Sequence, residues 1–250
     1  MQNAVQVLGR LAIIPRVVSS TLAIDLRDAN LQGMDLSETN FVNAVFKHSH
    51  MQGVILRSAR LQGADFWDAK LQMANLWNAQ LKEATLQYAE LQIADLSTAE
   101  LQGADLMDSK LQNASLRHAD LKGAYLIDAN LHGAFLEKAD LEGANLSDAE
   151  FHGANLRYAD LQGAILDGAK FDGTINLAKA SLVGASVRLV DFSSTPMINE
   201  HIDEIFGDNR TTLPEGVKRP QIWPREKLDH KDYTAQWRAF AASKGVDIPE

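Results

Sequence analysis

No cysteine occurs among the 250 residues. Disulfides are therefore excluded, and a reducing, cytoplasmic setting is permitted. Long apolar runs are also missing. Nothing approaches the roughly 18 consecutive apolar residues of a membrane-spanning helix, so none is expected. The start, Met1 to Arg10, lacks the basic region and apolar core of a signal peptide. Basic charge is in deficit, with 24 Lys and Arg against 33 Asp and Glu. Most of that deficit lies in residues 21–195, which carry 23 acidic and 14 basic side chains. Such a surface argues against direct binding of nucleic acid or anionic lipid. No Gly-rich phosphate loop, zinc-ligand quartet or nucleophile elbow is present. Exposed ladders of Asp are not a desolvated acid/base pair, so an enzyme is not expected. Nor does any motif imply a cofactor or a metal.

What the chain does have is a period of five. From Leu26 to Phe171 every fifth residue is a large apolar side chain, which makes 30 pentads without a break in phase. Two positions before nearly every one sits a small residue, usually Ala. A helix would smear such leucines around its surface, and a flat strand would send them to alternate faces. Both residues stay inward only if the chain bends once per pentad and coils about an axis. The expected core is then two interleaved rows, Leu101, Leu106, Leu111, Leu116 and Leu121 with Ala104, Ala114 and Ala124. A repeat held this long builds surfaces rather than a central pocket.

The pentads Ala64-Asp65-Phe66, Ala94-Asp95-Leu96, Ala104-Asp105-Leu106 and Ala144-Asn145-Leu146 resemble the A(D/N)LxX motif of the pentapeptide repeat family. The resemblance implies an all-β solenoid, a right-handed quadrilateral β-helix with four pentads per coil and about eight coils. Met34, Thr39, Ser49 and Val54 depart from the motif by replacing Ala. The phase slips by one residue between Phe171 and Leu177, after which Leu182, Val187 and Phe192 continue it. Three regions are expected: a capping segment at 1–20, the β-helix at 21–195 and a tail at 196–250. Ala4, Val5, Leu8 and Leu11 suggest a short helical cap. In the Pro-punctuated tail, Ile198 to Phe206 reads as one short helix. Asp229 to Lys244 reads as a second, with Tyr233, Trp237 and Phe240 on one side. The stretch from Met1 to Leu31 resembles the segment upstream of the repeats in longer bacterial members. A longer natural chain, membrane-attached elsewhere, is one expectation beside a cytoplasmic one.

If each coil takes four pentads, residues one coil apart stack at about 4.8 Å and form outward ladders. Gln32, Gln52, Gln72, Gln92 and Gln112 are expected to form an amide stack, continued by His132, His152 and Asp172. Those last three line up too flatly for a tetrahedral metal cage. Glu100, Asp120, Asp140 and Asp160 form one acidic ladder, and Asp108, Asp128 and Asp148 belong to another. They make either a solvated face or an acidic face for a basic partner. Trp67, Met107, Tyr125 and Ile127 form an apolar surface for a partner or for docking of the tail. The function expected is a scaffold for protein–protein interaction with an unidentified partner, as monomer or homodimer. The alternative comes from the resemblance: family members that mimic duplex DNA and bind DNA gyrase. Duplex DNA carries one charge per about 1.7 Å, whereas this rod carries one net charge per about 4.5 Å.

Overall fold

A computed structural model describes residues 24–248. The bend once per pentad is visible in the backbone. The second residue after each inward Leu has positive φ, as at Asp108 (56°), Asn113 (58°), His118 (57°) and Gly123 (60°). The next residue's N–H then bonds back to that Leu carbonyl, as from Ala104 to Leu101 at 3.0 Å. This is the geometry of a turn with a left-handed third residue. Four such corners close one coil.

Successive coils pair in parallel, each residue with the one four pentads ahead, as in Glu100↔Asp120, Asp105↔Tyr125, Lys110↔Asn130 and Ser115↔Phe135. Backbone N–H groups reach the next coil at 2.7 Å from Leu106 to Tyr125 and 3.0 Å from Asp108 to Ile127. The chain is thus a right-handed quadrilateral β-helix. Its interior is the expected pair of rows: Leu101, Leu106, Leu111, Leu116, Leu121, Ala104, Ala114 and Ala124 are all fully buried. The Phe residues stack on one another inside, Phe46 on Phe66 at 4.8 Å and Phe151 on Phe171 at 5.2 Å. The phase slip is real: the register lengthens by one at Asn155↔Asn176, and pairing resumes below it.

The β-helix runs past residue 195. Ser186 pairs with Phe206 and Asp191 with Thr212. The expected helix from Ile198 to Phe206 is replaced by a 3-10 helix over Pro196–Glu200 and a further turn of coil. The reason is packing. Ile198, Ile205 and Phe206 are all buried as the next layer of the core, and Phe206 must be extended to pair. The second expected helix is present as α1, His230–Ser243, capped by the Asp229 carboxylate on the Asp232 N–H at 2.8 Å. The expected N-terminal cap lies outside the described residues.

Helix α1 lies across the last coils. Its buried face is Tyr233, Trp237, Phe240 and Ala241. Trp237 donates its indole N–H to the Gly184 carbonyl at 2.7 Å, and Trp223 donates to Ile205 at 3.0 Å. Tyr233 donates to the Phe206 carbonyl at 2.8 Å and meets the Ser186 hydroxyl at 2.9 Å. Ser186 in turn bonds Asp167 at 2.5 Å. Gly163 and Gly184 combine positive φ with close approach of the tail: a methyl group on Gly163 would lie 2.7 Å from Ile248.

Candidate interaction faces of the coil

Each pentad offers three outward positions: the paired residue before the Leu, the residue after it, and the left-handed corner. Stacked at the coil spacing, these make twelve columns on the rod. The acidic ladder Glu100, Asp120, Asp140 and Asp160 occupies paired positions. It is not bare. Gln102 donates to Asp120 at 2.6 Å and Gln162 to Asp160 at 3.0 Å. Lys122 reaches Asp140 at 3.2 Å and Glu142 at 2.8 Å, and those two carboxylates raise its pKa.

The second acidic ladder, Asp108, Asp128 and Asp148, sits on corners. Among the described residues none of the three is in an ion pair. Partial desolvation, then the charges of Asp148 and Asp108, raise the pKa of Asp128. Asp108 also raises the phenol of Tyr88 above it. The two ladders do not share a face. Round the four-sided coil Asp120 stands more than two sides on from Asp108, so the ladders lie on nearly opposite sides of the rod.

The amide stack is realised at one rung, Gln32 to Gln52 at 2.7 Å. Farther along, Gln72 turns to Glu90 instead, on the diagonal rather than straight along the ladder. A carboxylate is a stronger acceptor than an amide, so the diagonal neighbour wins where one is present. His132 and His152 meet at 2.8 Å, with Glu150 3.2 Å from His132. No group of three or more such side chains able to hold a metal occurs among the described residues.

Trp67, Met107 and Ile127 lie in one column, with Tyr125 beside them on the same side. The tail does not dock there. Its contacts are with Gly163, Gly184, Ser186 and Phe206, at the last coils, and Tyr125 stays 50 % exposed. The tail is held where backbone carbonyls of the final coils accept its Tyr and Trp donors, which the sequence ladders do not reveal. Sequence reasoning also missed Met73 and Ile93. They occupy one corner column at φ 59° and 62° and are 67 % and 61 % exposed. The same column holds Gly33, Gly53, Asn113, Gly133 and Gly153. That contrast was legible: two large apolar residues replace Gly or Asn where the backbone is left-handed. Tyr88 adds a further exposed ring, packed edge-on to Trp67 at 5.7 Å.

The sequence profile described as "Pentapeptide repeats (8 copies)" matches residues 24–63, 59–97, 104–143 and 136–173, more than half of the chain. HetL, a pentapeptide repeat protein involved in heterocyst differentiation regulation from the cyanobacterium Nostoc sp. strain PCC 7120, is similar. Its identity is 26 %, with a TM-score of 0.57 over 83 % of this chain and 89 % of HetL. QnrB1, a plasmid-mediated fluoroquinolone resistance protein, shares the fold at 20 % identity. The TM-score is 0.60 over 87 % of this chain and 97 % of QnrB1. No curated protein sequence matches.

Proposed function

The chain belongs to the pentapeptide repeat family, and from that premise we propose that it is a non-enzymatic scaffold that engages a protein partner through an exposed apolar belt. The observation that carries this reading is the placement of Met73 and Ile93. A left-handed backbone costs an L-residue about 1–2 kcal/mol, more for a β-branched one, and Gly or Asn would avoid the cost. Both residues also hold large apolar side chains in water. Folding gains nothing from either feature, whereas interface cores are rich in Met and aromatic anchors. On the adjoining side of the square Trp67, Met107, Tyr125 and Ile127 form a second apolar group, with Tyr88 on the corner between, where Asp108 and Asp128 also stand. HetL is described as involved in regulation, which accords with action by contact rather than by turnover.

The test is affinity capture from a lysate of the native host with the natural chain and with a Met73→Asn, Ile93→Asn double variant. A protein retained by the first and lost by the second is the expected result. Equal retention, or none by the natural chain, overturns the belt. Acidic mimicry of duplex DNA is the weaker reading, because the two acidic ladders face opposite ways. Gyrase supercoiling unaffected by micromolar protein is the result that reading forbids.

A further inference from the structure

On a chain with an excess of acid, one corner is basic. Its column is His118, Lys138, Tyr158 and Lys179, and the column beside it holds Arg117 and Arg157. Two aromatic rings complete it. Arg117 lies 4.2 Å over Phe135 and Arg157 4.7 Å over Tyr158, with both rings more than a third exposed. The Lys179 ammonium lies 3.2 Å from the Tyr158 hydroxyl, and the two cations beside that hydroxyl lower its pKa. Glu137 is the one carboxylate inside the patch, and it is already engaged by Arg117 at 3.2 Å and Asn155 at 2.6 Å. The neighbouring acidic ladder does not neutralise the rest. Asp120, Asp140 and Asp160 turn the other way, toward Gln102, Lys122 and Gln162. Among the described residues, Lys138, Arg157 and Lys179 form no ion pair with a carboxylate.

We propose that this corner binds a short acidic peptide segment of a partner protein, independently of the apolar belt. The dimensions fit. Three coil spacings from His118 to Lys179 span about 14 Å, the length of four or five extended residues at about 3.3 Å each. A guanidinium stacked over a ring is pre-organised; Arg117 is engaged by Glu137 and Ser115, whereas Arg157 spends one donor on the Tyr158 hydroxyl and has others for a carboxylate. The exposed ring edges suit an apolar side chain between the acidic ones. A nucleic acid fits worse. Its phosphates would run beyond the patch and past the column of Asp120, Asp140 and Asp160, where like charges repel.

The probe is a fluorescein-labelled peptide, Gly-Glu-Glu-Phe-Glu-Glu-Gly, followed by anisotropy against the full chain. Saturable binding that weakens severalfold between about 50 and 200 mM salt is expected. Lys138→Asn with Arg157→Gln should weaken it at least tenfold; Asn is at home on a left-handed corner, so the fold survives, which circular dichroism checks. Lys70→Gln, a neutralisation of one cation elsewhere on the rod, should leave it unchanged. No binding by the natural chain, equal loss with Lys70→Gln, or binding unchanged in the double variant overturns the proposal. A single-stranded oligonucleotide that displaces the peptide at equal concentration overturns the assignment to a peptide. The Met73→Asn, Ile93→Asn variant should bind the peptide normally, so failure of the belt and failure of this corner are separable.

Discussion

Single residues in this fold answer to two demands, smallness inside and a left-handed backbone at the corners. Ser109 meets the first imperfectly. It stands where Ala normally does, is 1 % exposed, and its hydroxyl has no hydrogen-bond partner among the described residues. Ser109→Ala should therefore raise stability by about 1 kcal/mol, read as a shift in denaturant midpoint without a change of slope. Ile93 fails the second demand. Ile93→Gly relieves the corner and should add roughly 1 kcal/mol, less what Gly gains in the unfolded chain. A loss of stability would show that the isoleucine supports the coil after all. Asp128 carries a pH signature. Its folded pKa is raised above the unfolded value, so the folded state holds the proton more tightly. Its contribution to stability is favourable below the unfolded pKa and falls as pH rises through the window up to the folded pKa. Asp128→Asn should accordingly raise the melting temperature at pH 7 relative to the natural chain, with little gain at pH 3.

The element that decides the lower end of the rod is α1. Its Tyr233 hydroxyl is buried between the Phe206 carbonyl and Ser186. Tyr233→Phe leaves those groups short of a partner and should cost about 1–3 kcal/mol. A melting temperature unchanged by the substitution would mean that the docking of α1 contributes little to global stability. This element also marks the limit of what could be read in advance. The Tyr233, Trp237 and Phe240 spacing announced a helix with one apolar face, and the helix is there. The partner of that face was not legible, because it is made of the Phe206 ring, backbone carbonyls and Gly184 rather than of a patterned side-chain row. Ile198 to Phe206 misled for a related reason. Its apolar spacing suits a helix, yet the same residues serve one more layer of coil, and a solenoid end offers Phe206 a strand to pair with. The corner residues Met73 and Ile93 belong to no ladder of like residues; they interrupt a column of Gly and Asn, and their exposure depends on the left-handed backbone there.

For the molecule as a whole, stability is a sum over stacked layers rather than the property of one centre. Leu111→Ala, fully buried in the middle of the stack, should cost about 3–5 kcal/mol by thermal or chemical denaturation. The rigid square leaves little room for the cavity to collapse. The charge pattern is also a whole-molecule property. The corner of Asp108, Asp128 and Asp148 and the corner of His118 and Lys138 are two sides apart on a four-sided coil, diametrically opposed. The rod therefore presents an acidic edge on one side and a basic, aromatic edge on the other.

The register of four pentads per coil has a consequence for how such a rod can be rebuilt. Adding a block of four pentads lengthens it and leaves every edge in line. Adding a single pentad fills the interior just as well, yet turns everything downstream by a quarter circle relative to everything upstream. Bearing and distance between two contact points are thus set by separate arithmetic on chain length, remainder for the one and quotient for the other. In-frame duplication of whole or partial coils could re-aim the apolar belt against the basic corner without altering a residue of either.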